Sequence, residues 1–200
     1  MMKKLLIWLL FILPLSNPLQ AQNIDIHILN AINLHRPQSL DPVFQGISNT
    51  AEPIAVAVPI GMFVTGLLEK DNSLKYNAIQ VVGALAVSTV ITEGLKYTIR
   101  RPRPYVTYPY IQHKTTESDP SFPSGHATVA FATATSLSLH YPKWYVIAPS
   151  FLWATTVAYS RLDLGQHYPS DVIAGALIGT GSAWLSYKVQ QWIDKKYKLK

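Results

Sequence analysis

The sequence contains no cysteine. Disulfide frameworks, thiolate metal sites and cysteine nucleophiles are therefore excluded together. It is also poor in charge: Asp, Glu, Lys and Arg make up 14% of 200 residues, against about 25% in an average soluble chain. Apolar residues reach 48%, which excludes a disordered chain. No low-complexity tract and no repeat with a period of about 20 to 50 residues is visible. The length allows one domain, or two very small ones. What charge there is favours Lys and Arg, 17 against 11 Asp and Glu, for a net +6. Such an excess suits nucleic acid, anionic lipid headgroups or phosphorylated substrates, and its placement along the chain decides among them.

Residues 1–22 open with Lys3 and Lys4, run through apolar Leu5 to Leu15, and end in Leu19-Gln20-Ala21-Gln22. This is the pattern of a secretory signal peptide. The apolar run is too short to cross a hydrocarbon core of about 30 Å. Leu19 is larger than the residue preferred three places before a cut after Ala21, so a short uncleaved anchor is the alternative. Residues 23–50 fit two short amphipathic helices, with Ile24, Ile28 and Ile32 on one and Val43, Phe44 and Ile47 on the other. Asp41 and Pro42 read as N-cap and first helical residue of the second. These helices either lie at a membrane surface or pack on the remaining unit, residues 51–200.

Five stretches beyond residue 50 hold no Asp, Glu, Lys or Arg: Pro53 to Leu68, Tyr76 to Thr92, Ala127 to Pro142, Trp144 to Ser160 and Val172 to Tyr187. A surface helix of a soluble domain shows a charged face, and none of these does. They are rich instead in small residues such as Ala174, Gly175, Gly179 and Gly181, which let helices approach closely in a bilayer. The expected fold is all-α, a membrane helical bundle of about five spanning helices after a signal-like N-terminus. Lys and Arg count eight on one side and seven on the other, so the positive-inside rule alone does not orient the bundle.

Three polar clusters stand at helix ends on one predicted side. Lys96 to Arg103-Pro104 closes the second uncharged stretch, Pro123-Ser124-Gly125-His126 opens the third, and Ser160-Arg161 with His167 and Asp171 spans the fourth-to-fifth connection. Taken singly they read as an interfacial charge cluster, a helix start, and a structural hydrogen bond or half of a metal site. Together they make a phosphate site. Lys96, Arg103 and Arg161 match phosphate oxygens in sign and geometry, and Ser124 and Gly125 begin a helix whose free N–H groups attract an anion. His167 suits a nucleophile if Asp171 fixes its tautomer, and His126 suits a general acid. No cluster supplies the ligand count of a metal site.

These clusters resemble the three signature motifs of the type 2 phosphatidic acid phosphatase superfamily, or lipid phosphate phosphatases. That superfamily shares its site with class A bacterial acid phosphatases and vanadium haloperoxidases. Lys-x6-Arg-Pro, Pro-Ser-Gly-His and Ser-Arg-x5-His-x3-Asp are matched without a gap over about residues 50 to 190. The resemblance implies a phosphohistidine on His167, acid catalysis by His126, orientation of His167 by Asp171, and phosphate binding by Lys96, Arg103, Ser124, Gly125 and Arg161. Membrane members commonly have six spans, so the signal-like segment stands where a first span would be. The expectation is a lipid phosphate or diphosphate phosphatase in the inner membrane, its site facing the periplasm and the loop Val106 to Phe122, with Tyr108, Tyr110, His113 and Lys114, lining the entrance. Substrate and membrane lipids are the expected partners, with no nucleic acid, obligate protein partner, metal or cofactor. A soluble periplasmic acid phosphatase, a vanadate-dependent peroxidase and a non-catalytic anionic-lipid binder are the alternatives.

Overall fold

The computed structural model describes residues 18–197, and the described residues are helices joined by turns and loops. Most of the expected leader lies outside the described residues. Its last positions, from Pro18, open the first helix, α1 (Pro18–Asn33). After a 3-10 turn at Gln38–Leu40 come α2 (Asp41–Ser48), α3 (Ala51–Leu68), α4 (Asn72–Ile99), the single turn α5 (Pro104–Thr107), α6 (Gly125–His140), α7 (Trp144–Asp163) and α8 (Pro169–Tyr197). Leu40, not Asp41, caps α2. Asp41 is buried within the first turn, and Arg36 Nε donates to its carboxylate at 2.9 Å, so ion pairing replaces capping.

The five uncharged stretches run along α3, α4, α6, α7 and α8. Among the described residues two segments, Gln38–Leu68 and Asn72–Thr107, are long and apolar enough to cross a membrane. Helix α6 differs because it is the centre of the bundle, packed against α3, α4, α7 and α8. At 16 residues it is about 24 Å long. Its buried positions are small, including Ala127, Ala130 and Ala134, with Thr128, Thr133 and Ser136 among them. Small size is what α8 demands: a Cβ on Gly175 would stand 2.5 Å from the Ser124 carbonyl, and one on Gly179 would stand 2.2 Å from that of Thr128. Backbone meets backbone there, as in membrane helix pairs.

Large apolar side chains lie outside. Val56, Ile60 and Leu68 on α3, Val82 and Val90 on α4, and Leu177 and Leu185 on α8 are exposed. A bundle in water would place charge on those faces, and this arrangement matches a lipid surround.

Chain direction then gathers the polar clusters. The N-termini of α3, α6 and α8 and the C-termini of α4 and α7 lie at one end. Helix α1 packs on that end, Ile26 and Leu29 joining Tyr105, Ile111 and Tyr168 in a small core. Asn33 fastens it, donating to the carbonyls of Gln112 and Asp163 at 2.8 Å each. Of the two settings open to the amphipathic helices, α1 takes packing on the bundle.

Candidate active site

Helix α4 ends where Arg100 adopts a left-handed conformation (φ 52°), and the chain then runs extended into the turn at Pro104. Lys96 stays on the last turn of α4, and Arg103 is placed opposite it, both buried. Helix α6 is capped by the Ser124 hydroxyl, which accepts from Ala127 N–H at 3.5 Å. Arg161 comes from the last turn of α7, His167 from the loop that follows, and Asp171 from the first turn of α8. All three sequence clusters therefore meet in one place.

His167 is 1% exposed. Its Nδ1 lies 2.8 Å from the Ser121 carbonyl, which fixes the proton on Nδ1 and leaves Nε2 with its lone pair. Nε2 lies 3.5 Å from an Arg103 guanidinium nitrogen, on the cavity side. Asp171 is 3.6 Å from Nδ1, so it acts on the ring electrostatically while Ser121 makes the direct bond. Ser121 carries no recognisable motif and escaped the sequence reading. Burial, with help from the positive charge of Arg161 and against the pull of Asp171, pushes the imidazole pKa down to about 4.

The cavity beside the ring measures about 410 Å³, and Lys96, Arg103, Gly125, His126 and His167 all line it. A Cβ at Gly125 would meet nothing within 4 Å, so the backbone there is open to the cavity. Ser124 stands back from it: its side chain is spent on the cap and its N–H donates to the Asp171 carbonyl at 3.0 Å. Arg161 also stands behind the wall, donating from one nitrogen to Ser48 Oγ at 2.9 Å.

The front of the site holds two acids that sequence reasoning missed. Glu117 bridges Arg161 and Arg103, the latter at 2.6 Å. Asp119 bridges Lys96 and Arg103, the latter at 2.7 Å. All three expected phosphate-binding cations thus carry a carboxylate from one loop. Burial works to raise both acid pKa values, but the cations outweigh it, holding Glu117 below its usual range and Asp119 at about 2. The one signal in the sequence was two acids placed just before Pro123 in a chain with few of them.

The entrance is lined by Thr116 to Asp119 of the expected loop. The residues expected to line it turn toward α1 and α2 instead. His113 stacks on Tyr105 with centroids 4.2 Å apart, Tyr110 meets Asn30 at 3.5 Å, and Lys114 lies 3.9 Å from Asp41. No group of three or more His, Cys, Asp or Glu suited to a metal occurs among the described residues.

Comparison with known proteins adds a family. The family model described as PAP2 superfamily matches residues 77–195. An undecaprenyl-diphosphatase of Sulfolobus acidocaldarius is 30% identical over 198 residues, covering 94% of this chain and 93% of its own. A lipid A 4'-phosphatase of Bacteroides thetaiotaomicron is 46% identical over 66 residues, 33% of this chain and 29% of its own. Among solved structures, a transmembrane PAP2-type phosphatidylglycerolphosphate phosphatase of Bacillus subtilis superposes with a TM-score of 0.73 at 25% identity, covering 96% of this chain and 98% of that one.

Proposed function

The chain belongs to the PAP2 superfamily, and from that premise we propose that it removes phosphate from a lipid phosphate or lipid diphosphate at the outer face of a bacterial inner membrane, with His167 as nucleophile. The observation that carries this reading is the imidazole itself: Nδ1 is tied to Ser121 at 2.8 Å, and Nε2 is left beside Arg103 at the cavity wall. A low pKa keeps that ring neutral and nucleophilic at neutral pH.

The substrate phosphate takes the place of the Glu117 and Asp119 carboxylates among Lys96, Arg103 and Arg161. The open backbone at Gly125 adds the positive end of α6. The Nε2 lone pair of His167 forms the bond to phosphorus as the bond to the leaving oxygen breaks. His126, kept neutral in the empty site by burial and by the Arg161 charge, takes up a proton once the phosphate anion is bound beside it and gives that proton to the leaving oxygen. Water then attacks the phosphohistidine, His126 takes the proton of the attacking water, the P–N bond breaks, and inorganic phosphate leaves. Asp171 steadies the ring while it carries positive charge. Cationic side chains supply the charge that a divalent ion gives other phosphatases, which supports a metal-free reaction.

The apolar outer faces of α3, α4 and α8 suit acyl or prenyl chains left in the bilayer. The named relatives act on undecaprenyl diphosphate, lipid A and phosphatidylglycerol phosphate, and the present substrate is of that class. A panel of lipid phosphates and diphosphates with the detergent-purified protein tests this reading. Phosphate release that persists in excess EDTA is expected. Release from none would leave only lipid binding, and release that needs an added divalent ion would overturn the metal-free mechanism. A reporter fused after Lys200 should be active in the cytoplasm, and periplasmic activity there would reverse the orientation.

A further inference from the structure

Asp171 is held from three directions. Its Oδ2 accepts from the Ser121 hydroxyl at 2.5 Å and from Tyr168 N–H at 2.9 Å, and its Oδ1 accepts from Arg101 at 2.6 Å. Arg101 lies two residues before the motif arginine and belongs to none of the expected site residues. Its guanidinium rests on the Tyr168 ring, 3.8 Å from the centroid, and its other terminal nitrogen donates to Asp25 Oδ2 at 2.8 Å. Asp25 is on α1 and is the one acid of that helix. It also accepts from the Ser170 N–H at 2.9 Å and from the Ser170 hydroxyl, and that hydroxyl accepts from Arg101 at 2.7 Å. Asp25, Arg101 and Ser170 thus close a ring of hydrogen bonds directly behind Asp171.

A guanidinium between two carboxylates divides its charge and fixes both. With Asp25 in place, Arg101 binds one oxygen of Asp171 and leaves the other facing the imidazole. Asp171 is fully buried, so its orientation depends on these partners and not on water. We propose that Asp25 is a positioning residue for phosphoryl transfer, acting through Arg101 on Asp171 and so on the His167 ring. The N-terminal helix is on this account part of the catalytic apparatus, tied to it by one carboxylate. The inference rests on His167 being the nucleophile.

The test uses the full chain in detergent, an activated aryl phosphate and a lipid phosphate, and the variants Asp25→Asn, Asp25→Glu and Arg101→Gln. Neither Asp25 nor Arg101 lines the cavity, so kcat should fall by about tenfold in Asp25→Asn while KM stays within about twofold. Asp25→Glu should recover most of kcat. The acid limb of kcat/KM, which follows deprotonation of His167, gives the second readout. The charged and titratable groups facing that ring are Arg103, Arg161, Glu117, His126 and Asp171, and no variant alters them. Without the Asp25 charge, Arg101 neutralises Asp171 more fully, so the limb moves to lower pH. Without Arg101, Asp171 acts on the ring undiluted, and the limb moves to higher pH.

Opposite displacements, together with the kcat loss, support the proposal. An unaffected kcat in Asp25→Asn, limbs that stay put or move together, or a loss that merely tracks the thermal midpoint overturns it. His167→Ala separates the two claims. Turnover retained in His167→Ala removes the nucleophile assignment and this inference with it, whereas an inactive His167→Ala beside a normal Asp25→Asn removes this inference alone.

Discussion

The two sides of the His167 ring are built from the same groups, guanidinium and carboxylate, set in different surroundings. Behind the ring, Asp171 is fully buried, the side chains of Arg101 and Asp25 are 18% and 10% exposed, and each carboxylate is held by several donors. In front, Glu117 and Asp119 are 27% and 42% exposed and come from a loop with no secondary structure of its own. A buried, fully bonded pair resists exchange because each partner would be stranded without the other. A half-exposed pair gives way to a better anion because water helps both partners separate. On the proposed mechanism, burial decides which pairs orient the nucleophile and which keep the phosphate cations occupied until substrate arrives.

The hardest test of this contrast is His167→Ala, the ring that both sides serve. Turnover should fall by at least about 10⁴-fold, with no phosphoenzyme formed. His126→Ala should differ: lipid phosphate cleavage suffers strongly, while first-step cleavage of an activated aryl phosphate suffers little, because its leaving group needs no proton. Equal loss of phosphoenzyme labelling in both variants with the aryl substrate would show the two histidines wrongly assigned.

How much of this was legible beforehand divides along the same line. Lys96, Arg103, His126, Arg161, His167 and Asp171 were readable because fixed spacing at helix ends is local information, and topology alone brought the ends together. The helical bundle was readable from charge-free stretches. Asp25, Ser121, Glu117 and Asp119 were not, since each makes its contacts with partners 14 to 145 residues away or through a backbone atom. Ser124 was read as a phosphate ligand, and in the structure its hydroxyl and N–H serve the α6 cap and the Asp171 carbonyl. A helix N-terminus announces free donors, but not which of them the fold has already used.

Acid should break the back of the site before it disturbs the lipid-facing bundle. The folded state holds His167 at about 4, below its ordinary 6.5. A depressed imidazole pKa means that folding favours the neutral ring. Its contribution is whole above pH 6.5 and is lost as pH falls toward 4, up to about 3 kcal/mol. Asp119 adds a smaller loss lower down, between 3.8 and about 2. Thermal midpoints in detergent should therefore drop by roughly 10 °C across the first window. His126, pushed down to about 3 by burial and by the Arg161 charge, loses stability through the same window, so the neutral variant His167→Gln should remove only part of that slope, and an unchanged slope would leave the titration to His126 alone.

The front can be weakened on its own. In Glu117→Gln combined with Asp119→Asn, the cations keep hydrogen-bonding partners of the same size but lose competing charge. Vanadate should inhibit this double variant at about tenfold lower concentration, a gain of about 1.4 kcal/mol, and KM should fall in parallel. Weaker vanadate binding would mean that the two carboxylates help to hold the phosphate, and the distinction between the two sides would fail.

Two glycines carry the same contrast down to the scale of a methyl group. Both Gly125 and Gly175 stand near the start of α6, one toward the cavity and one against the neighbouring backbone. A methyl group on Gly175 would collide with the Ser124 carbonyl at 2.5 Å, so Gly175→Ala must push α8 from α6 and lower the thermal midpoint. A methyl group on Gly125 meets no protein atom within 4 Å, and Gly125→Ala should leave stability within about 0.5 kcal/mol of wild type. The same methyl group would stand where phosphoryl oxygens approach the first N–H groups of α6. Vanadate inhibition should therefore weaken by about threefold, near 0.7 kcal/mol, with kcat on an aryl phosphate little changed. An unaltered response to vanadate in a normally folded Gly125→Ala would show that the anion does not approach the α6 N-terminus, leaving the phosphate to Lys96, Arg103 and Arg161 alone.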